Sequence, residues 1–412
     1  MRVLWVVNTI FPDLAIQLGM PPPVLGGWMY GLASDITASG QVKLAVATGY
    51  PGRKRIALSL KGIDYFLTPS SQPQAWRAVA EEFRPDLIHI HGTEFGHGMG
   101  LMQARPDLKY AVSIQGLVSV CHRYYTAGMT WWDLVSNVTL RDILRMDTLL
   151  HGRHSFYKRG LREKEYLRRA SAVIGRTDWD RSHLSAINPK AHYFFCQESL
   201  RDEFYTGPHW SLDRCRRHSI FLSQGAYPLK GLHQVIKAIA LLKTEFPDIL
   251  IEVAGPDITA DNTLRTRLRR SGYGKYVHRL IDRLGLERHI RFLGPLAAEP
   301  MKQAYTRAHL FVCPSSIENS PNSLGEAQIL GVPTIASFVG GTPSMAGSRS
   351  RTIFYPFAEF EMLAHYIRKL FLDDVLAQNI SKENIQSAHE RHDRSRNLSD
   401  MVAIYRHLHP EK

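Results

Sequence analysis

The chain has 412 residues, of which 44% are hydrophobic and 22% are charged, as in an ordinary globular protein. This length predicts two or three domains, each large enough for its own core. No apolar run approaches the roughly eighteen residues that a membrane span needs, so none is expected. The apolar N-terminus leads into Pro12 and Asp13 without a small-residue cleavage site, which predicts a buried strand instead of a signal peptide. The four scattered cysteines, with no C-x-x-C pair, favour a reducing compartment and predict a cytoplasmic protein without structural zinc.

The formal net charge is +13 and the isoelectric point is about 9.6, so an anionic partner is expected. The candidates are nucleic acid, a phosphorylated substrate and a membrane surface. The sequence has no zinc-finger spacing, no RNP-like aromatic motif and no basic region followed by heptads, so we expect no nucleic-acid partner. Charge alone does not choose between the other two.

The first half of the chain alternates strand and helix patterns. A first strand is predicted at Val3–Asn8, and a proline-rich loop then leads through Gly26 and Gly27 into a helix at Trp28–Thr37. Further strands are predicted at Lys43–Ala47, Tyr65–Thr68, Leu87–His91, Tyr110–Gln115 and Ala172–Gly175. Helical segments such as Gln74–Phe83 separate several of them, which predicts right-handed βαβ units and a doubly wound parallel sheet. Glycines at a helix start let the backbone approach a phosphate, although a plain turn is the alternative.

A dinucleotide dehydrogenase is the obvious competitor for such a sheet. Its G-x-G-x-x-G fingerprint does not follow the first strand, and the glycines at 96–100 and 272–274 have the wrong spacing. The sequence therefore argues against nicotinamide chemistry.

A basic segment from Arg141 to Arg169 carries nine Lys or Arg against four Asp or Glu. Just upstream stand four aromatic residues, Tyr124, Tyr125, Trp131 and Trp132. A basic helical segment with aromatic side chains can lie at an anionic bilayer surface. A solvated helix with internal ion pairs remains the alternative, because charges of both signs mix at 162–165.

The second half repeats the strand and helix alternation. A strand at Ile220–Ser223 is followed by the loop Gln224–Gly231, a helix at Leu232–Phe246 and a strand at Ile249–Ala254. A strand is also predicted at Arg291–Gly294, and the C-terminal segments Phe357–Leu370, Val375–Ile380 and Leu398–Leu408 are predicted to be helical. Residues 197–210 break the periodicity and predict a linker. The chain therefore contains two similar α/β halves.

Two carboxylates, Glu318 and Glu326, stand in one strand–loop–helix unit near the C-terminal end of the second half. A strand ends at Cys313, a polar loop follows, and a helix is predicted at Ser323–Leu330 before a strand at Val332–Phe338. Both carboxylates can then face the crevice beyond the strand's carboxyl end, where open parallel sheets bind ligands. The alternative for Glu326 is a capping box with Ser323, in which it would only serve its own helix start.

The pair Glu318 and Glu326, preceded by Pro-Ser and followed by Gly-Val-Pro and Gly-Gly, resembles the donor-site signature of family-4 retaining glycosyltransferases with the GT-B fold. The resemblance implies that Glu318 approaches the transferred sugar and that Glu326 holds the nucleotide ribose. Lys230 matches the family's phosphate lysine, so Glu318 and Lys230 are the candidate catalytic residues. The Gly26-Gly27 loop matches the segment near the donor phosphates.

His91 and Gln115 complete the matches, and several positions depart from the family pattern. His91 ends a strand on the acceptor side, with a neutral histidine satisfied by the backbone as the alternative. Gln115 stands where many relatives carry a histidine, so it can contact a sugar but cannot titrate. Gly225 replaces a usual arginine, and Pro321 replaces a usual glycine and has no N–H to donate. Donors to the phosphates or sugar are then expected from Ser320, Asn322 and Ser323.

The resemblance implies an α/β protein of the GT-B fold, with two Rossmann-like doubly wound domains facing each other across a cleft. We expect an N-terminal acceptor-side domain over residues 1–205, a nucleotide-sugar-binding domain over 206–385, and a C-terminal helix over 386–412 that returns to the first domain. The expected activity is transfer, with retention, from a nucleotide-sugar donor to a glycan or lipid-linked acceptor in cell-surface polysaccharide or glycolipid synthesis.

The expected substrate requirements follow from the same resemblance. The nucleotide sugar is a substrate, and neither a cofactor nor a metal is expected. An anionic membrane on the cytoplasmic side is a candidate partner. The alternatives are a nucleotide-sugar epimerase or phosphorylase on the same fold, and a non-catalytic basic membrane-binding protein.

Overall fold

The computed structural model describes residues 1–21, 27–69, 73–346 and 350–410. The chain forms two compact units: unit 1 comprises Met1–Ser119, Lys158–Arg201 and Arg391–Lys412, and unit 2 comprises Val120–Tyr157 and Asp202–Glu390. Residues 120–157, expected in the N-terminal domain over 1–205, group with unit 2 in the structure. The C-terminal residues from Arg391 group with unit 1.

Fourteen strands are present among the described residues, eight in the sheet of unit 1 and six in the sheet of unit 2. In unit 1 they are β1 Arg2–Val7, β2 Lys43–Gly49, β3 Ile56–Leu60, β4 Ile63–Thr68, β5 Leu87–His91, β6 Tyr110–Ser113, β7 Ala172–Gly175 and β8 His192–Phe195. In unit 2 they are β9 Arg216–Leu222, β10 Leu250–Val253, β11 Ile290–Phe292, β12 Ala308–Cys313, β13 Thr334–Ser337 and β14 Ile353–Tyr355.

The strand orders are β3-β4-β2-β1-β5-β6-β7-β8 in unit 1 and β11-β10-β9-β12-β13-β14 in unit 2. All neighbouring pairs are parallel except β3 with β4, which is antiparallel at the edge of the first sheet. In each unit the first strand lies inside the sheet and later strands add on both sides of it. This is the doubly wound Rossmann-like arrangement, so the predicted fold class is confirmed.

The helices connect these strands. In chain order they are α1 Pro12–Gln17, α2 Gly27–Ala38, α3 Pro73–Phe83, α4 His97–Ala104, α5 Val118–Cys121, α6 Trp131–Ser136, α7 Leu140–Leu144, α8 Leu149–Arg169, α9 Asp178–Ile187, α10 Leu232–Ala240, α11 Leu264–Arg269, α12 Gly272–Leu284, α13 Ala298–Arg307, α14 Asn322–Ile329, α15 Thr342–Ala346, α16 Phe360–Leu372, α17 Asp374–Arg391 and α18 Arg394–Leu408. Within the described ranges, none of them combines the length and the apolar character needed to cross a bilayer.

The central strands form the two cores because they are buried on both faces. In unit 1, Val3 to Val7 of β1 and all of β5 are buried, and in unit 2 every residue of β12 is buried. Helix α18 closes the core of unit 1 through Tyr405, whose hydroxyl lies 2.8 Å from Trp5 Nε1 and 2.6 Å from His89 Nδ1. Continuous burial of this kind explains why these strands are predominantly apolar.

Candidate functional site

The candidate donor site lies in unit 2, where the strand order of the sheet reverses. Strand β9 comes first in the chain, β10 and β11 extend the sheet on one side, and β12 to β14 extend it on the other. The loops that follow β9 and β12 therefore diverge at the carboxyl edge between two hydrogen-bonded strands. Open parallel sheets bind their ligands in the crevice at such a switch point.

The loop after β9 ends in a short 3₁₀ helix, Pro228–Lys230, and Gly231 then starts α10. Gly231 has a φ of 69°, in the left-handed region that favours glycine. A Cβ atom there would lie 1.7 Å from the carbonyl oxygen of Pro314. Glycine at 231 is therefore required twice, once by the backbone conformation and once by the close approach of the loop after β12.

The loop after β12 is fixed by backbone contacts with its two neighbouring segments. The N–H of Ser316 donates to the carbonyl of Leu229 at 2.8 Å, next to Lys230. On the other side, the N–H of Gly341 donates to the carbonyl of Glu318 at 2.9 Å. Gly340 has a φ of 52°, and a Cβ atom on it would lie 2.0 Å from the same Glu318 oxygen. These contacts position Glu318 between the Lys230 segment and the Gly340-Gly341 turn.

Lys230 and Glu318 form an ion pair at this edge of the sheet. Lys230 Nζ lies 2.5 Å from Glu318 Oε1, and the Ser315 hydroxyl donates to the same oxygen at 2.7 Å. The side chains retain 22% and 15% exposure, so both can still reach a ligand. Burial opposes the charged form of Lys230, but the Glu318 carboxylate and Tyr227 outweigh it and raise the lysine pKa above its ordinary value of 10.5. Lys230 is therefore a cation at neutral pH.

Glu326 lies in the second turn of α14 and is 7% exposed. The Tyr305 hydroxyl lies 3.3 Å from Glu326 Oε2 and 3.0 Å from the carbonyl oxygen of Ser323. The helix begins one residue earlier than predicted, with Pro321 as its N-cap and Ser323 as its second residue. Because Ser323 is inside the helix, the capping box that the sequence allowed for Glu326 is not formed.

Ser320, Asn322 and Ser323 occupy the start of α14 and are partly exposed. The Ser320 hydroxyl lies 3.0 Å from Met345 Sδ. Asn322 and Ser323 provide the first N–H groups of the helix, which have no acceptor in the preceding turn and carry the positive end of the helix dipole. Pro321 contributes no N–H, as expected, so any backbone donors here belong to its neighbours.

Gly225 and the Gly26-Gly27 pair complete the predicted donor residues. A Cβ atom on Gly225 would lie 2.9 Å from Val253 Cγ1 and 3.0 Å from Leu232 Cδ2, so an arginine at this position would displace core side chains. Gly27 is the first residue of α2, one residue before the predicted start of that helix. Gly26 lies outside the described residues.

His91 and Gln115 lie together in unit 1, at the ends of the neighbouring strands β5 and β6. Both line a cavity of about 10 Å³, enough for about one water molecule. His91 is 3% exposed, and within the described part of the chain neither ring nitrogen has a hydrogen-bond partner. The backbone-satisfied histidine that the sequence allowed is therefore not observed. Burial, and then His89 and Arg176, lower the pKa of His91, so its ring is neutral.

Sequence reasoning missed the ion pair that holds Gln115. The Gln115 amide nitrogen donates to Glu198 Oε1 at 3.2 Å, and its oxygen lies 3.4 Å from Arg176 Nη2. Arg176 is in turn paired with Glu198. Arg176 directly follows β7, so its place at a strand's carboxyl end was the available signal. Ser315, the hydroxyl donor to Glu318, was also missed, although it belongs to the Pro-Ser pair of the motif.

Part of the chain is similar in sequence to known proteins. Residues 216–387 match the family described as "Glycosyl transferases group 1". The D-inositol 3-phosphate glycosyltransferase of Corynebacterium urealyticum is 26% identical over 181 residues, which are 44% of this chain and 41% of that protein. The enzyme of the same name from Corynebacterium glutamicum is 34% identical over 122 residues, 28% of this chain and 26% of that protein. The chain thus spans less than half the length of these curated relatives.

Solved structures resemble the whole chain. Sucrose-phosphate synthase from Thermosynechococcus elongatus superposes with a TM-score of 0.71 at 15% identity over 99% of both chains. Anabaena HepE in complex with UDP-glucose superposes with a TM-score of 0.65 at 16% identity over 98% of this chain and 99% of that one. At such identities the likeness shows the fold, which is the GT-B fold of glycosyltransferases. The whole chain thus has the GT-B fold, and the match to the glycosyl transferases group 1 family covers residues 216–387, which are less than half of the chain.

Proposed function

We propose that this chain transfers a sugar from a nucleotide-sugar donor to a glycan or lipid-linked acceptor, with retention of anomeric configuration. The observation that carries the proposal is the Lys230–Glu318 pair, 2.5 Å apart, at the switch point of the group 1 domain. Cell-surface polysaccharide or glycolipid synthesis is the process we propose for it.

Each residue of the pair receives a distinct role in this proposal. The bond between the sugar C1 and the diphosphate breaks, and its electron pair leaves with the diphosphate. The acceptor oxygen bonds to C1, and its hydroxyl proton passes to the departing diphosphate oxygen. Lys230 and the N-terminus of α14 stabilise the charge that develops on the diphosphate, which is usually the largest electrostatic contribution to catalysis. Glu318 orients the sugar and favours positive charge at C1. Glu326 accepts a hydrogen bond from the ribose.

The Lys230–Glu318 ion pair holds the lysine in place for the charge of a diphosphate. Without a donor, Glu318 neutralises Lys230, which would otherwise be a half-buried cation without a counter-ion. A bound diphosphate offers the lysine a stronger anionic partner, and Glu318 is then free to turn toward the sugar. In unit 1, the neutral ring of His91 and the amide of Gln115 suit hydroxyl groups, since both can donate and accept.

The donor class is tested first by binding. HepE was solved with UDP-glucose and another structural neighbour with UDP-2-fluoro glucose, so UDP-glucose leads a panel that also contains GDP-, ADP- and dTDP-sugars. We expect one nucleotide class to raise the melting temperature, and the bare diphosphate of that class to do the same. If no nucleotide or nucleotide sugar raises it, the donor-site proposal is wrong.

The reaction class is tested by product analysis with the donor that binds. An epimerase converts the nucleotide sugar without an acceptor, and a phosphorylase needs inorganic phosphate. A transferase releases nucleoside diphosphate in proportion to the glycosylated acceptor. Proton NMR of the new linkage then reports whether the anomeric configuration of the donor is retained or inverted, and inversion would contradict the proposal.

A further inference from the structure

We propose that a surface formed by α6, α7 and α11 of unit 2 docks onto an anionic lipid bilayer. We call this surface the apolar platform and define it by six exposed residues, Trp131, Trp132, Leu140, Leu144, Leu264 and Leu268. The inference deepens the proposed function, because a lipid-linked acceptor resides in a bilayer. The docking itself requires no turnover and can be measured without it.

The platform side chains are among the most exposed large hydrophobic residues that the structure describes. Leu144 is 76% exposed, Trp132 is 74% and Leu264 is 73%, and the other three are at least 62% exposed. In α7, Leu140 and Leu144 are four residues apart, and so are Leu264 and Leu268 in α11. Residues at this spacing share one helix face, so each helix turns an apolar stripe toward solvent. A helix of a globular protein normally buries that stripe.

The three helices hold their shape without burying these side chains. Each begins with a complete capping box, formed by Thr130 with Asp133, by Thr139 with Asp142 and by Thr263 with Thr266. A capping box satisfies two N–H groups at a helix start, so a short helix needs less tertiary packing to persist. The outward apolar residues are therefore a feature of ordered helices.

Polar contacts attach α6 and α7 to α12, and α7 also packs against α11. The buried Asp142 of α7 accepts a hydrogen bond of 2.7 Å from the N–H of Gly272, close to the end of α11, and α7 and α11 are in contact. The connection from α6 to α7 is fixed by Arg279, which donates to the Ser136 carbonyl and to Asn137 Oδ1, both at 3.1 Å. Anchored in this way, α6, α7 and α11 present their apolar residues from one part of unit 2.

Charge selects an anionic bilayer as the occupant. Arg145, Arg265 and Arg269 are exposed beside the apolar residues, and within the described ranges none of them forms an ion pair. Tryptophan and leucine side chains that enter the headgroup region, with arginines at the phosphates, are typical of interfacial binding. In a dimer formed through this surface, the arginines of one copy would face the same arginines of the other. Each copy also carries a formal net charge of +13, so electrostatic repulsion disfavours self-association.

The platform also revises the membrane expectation drawn from the sequence. That expectation covered the whole region from Tyr124 to Arg169, which contains α6 and α7 of the platform and also α8. In α8, Gly160, Glu163, Tyr166 and Leu167 are buried. Its remaining exposed charges include ion pairs such as Arg169 with Glu165, at 2.6 Å. These are features of the solvated-helix alternative. Docking is therefore assigned to α6, α7 and α11 instead of α8.

The test is flotation of the full chain with vesicles of phosphatidylcholine, with and without phosphatidylglycerol, at low and high salt. We expect binding to the anionic vesicles only, and expect salt to weaken it. The triple variant Trp132→Ser/Leu144→Ser/Leu268→Ser should bind at least tenfold more weakly. Its matched control is Leu241→Ser/Leu372→Ser/Val375→Ser, which removes three exposed apolar residues elsewhere in unit 2 and should bind as wild type.

The charge contribution is tested in the same assay. Arg145→Gln/Arg265→Gln/Arg269→Gln should lower the partition constant roughly a hundredfold. The control Arg168→Gln/Arg288→Gln/Arg396→Gln removes the same net charge from other exposed positions and should have a much smaller effect. Equal losses in the two arginine variants would show that net charge, and not the platform, governs binding.

Two further outcomes would overturn the inference: unchanged vesicle binding in the serine platform variant, or a wild-type dimer in light scattering that the same variant dissociates. Melting curves with and without UDP accompany every variant. They separate a misfolded variant from a docking defect, and they report donor binding independently of the bilayer. The platform can thus fail while the donor site stands, and the reverse also holds.

Discussion

The proposed role of Glu326 leads to a prediction that separates two functions. Loss of a ribose contact weakens nucleotide binding, whereas loss of a structural contact lowers the stability of the fold. A hydrogen bond to a charged group contributes about 1.5–3 kcal/mol. Glu326→Gln replaces this bond with a neutral one, which contributes about 0.5–1.5 kcal/mol, so UDP binding should weaken about fivefold to tenfold. The substitution keeps the size of the side chain and its place in α14, and it removes only the charge.

The matched control for this prediction is Tyr305→Phe. It removes the hydroxyl that lies 3.3 Å from Glu326 Oε2 but leaves the carboxylate in place. If Glu326 only supports the fold, both variants should melt earlier and bind UDP like wild type. If Glu326 holds the ribose, calorimetric titration should show a large loss of affinity in Glu326→Gln and a small one in Tyr305→Phe. Wild-type affinity in a folded Glu326→Gln protein would refute the ribose role.

Three more predictions concern the loop that carries Glu318, the core of unit 1 and the metal requirement. Gly340→Ala should slow transfer and weaken UDP-sugar binding, because the new Cβ atom would lie 2.0 Å from the Glu318 carbonyl oxygen. The control is Gly285→Ala, where φ is also positive at 58° but only the Lys243 ammonium is nearby. This control should lose about 1–2 kcal/mol of stability and keep full activity. Burial raises the pKa of Glu163 from 4.5 to about 7, against hydrogen bonds from Ser119, Thr93 and Val118. Between about pH 4.5 and 7, the free energy of unfolding of wild type should thus fall by about 3 kcal/mol relative to that of Glu163→Gln. Melting curves over this pH range measure the difference, and the same pH dependence in both proteins would contradict the prediction. Dialysis against EDTA should leave transfer unchanged in coupled assays, and restoration of lost activity by one divalent metal would refute that expectation.

The sign of the Glu163 effect follows from its two protonation states. Below pH 4.5 the carboxyl is protonated in both the folded and the unfolded chain, so its contribution to stability is fully present. As the pH rises toward about 7, the carboxyl ionises first in the unfolded chain, which lowers the free energy of the unfolded state. The buried group in the folded chain stays protonated and gains no such stabilisation. The stability is therefore lost over that window, and glutamine, which cannot titrate, removes the effect.

The sequence predicted the central strands and the edge strand β11, and it missed the edge strands β3, β8 and β14. Strands such as β5 and β12 are buried along their whole length and predominantly apolar because both faces are covered. The edge strands β3 and β8 have no fully buried residue, so their sequences carry no comparable signal of a covered strand. The helix predicted at Leu232–Phe246 ends at Ala240, after which the chain continues in turns. Its C-terminal half kept an apolar pattern because Leu242 and Phe246 are still buried.

The sequence predicted the site residues that belong to short local motifs. It did not predict the contacts between segments that are far apart in the chain. Lys230 and Glu318 stand in recognisable strand–loop–helix motifs, but their direct ion pair joins segments 88 residues apart. The glycines at 231 and 340 were visible as motif residues, whereas the carbonyl groups that require them were not. The pairing of Arg176 with Glu198 and the grouping of residues 120–157 with unit 2 likewise depend on long-range packing that periodicity does not encode.

The central claim is that Lys230 binds the diphosphate of a nucleotide sugar, and calorimetric titration of UDP and UDP-glucose tests it most directly. The variants are Lys230→Met and, as a matched control, Lys237→Met, which removes another half-buried lysine of unit 2. We predict that wild type and Lys237→Met bind alike and that Lys230→Met binds at least tenfold more weakly, with its fold intact. Equal affinities in all three proteins would contradict the phosphate role of Lys230, and with it the proposed donor site.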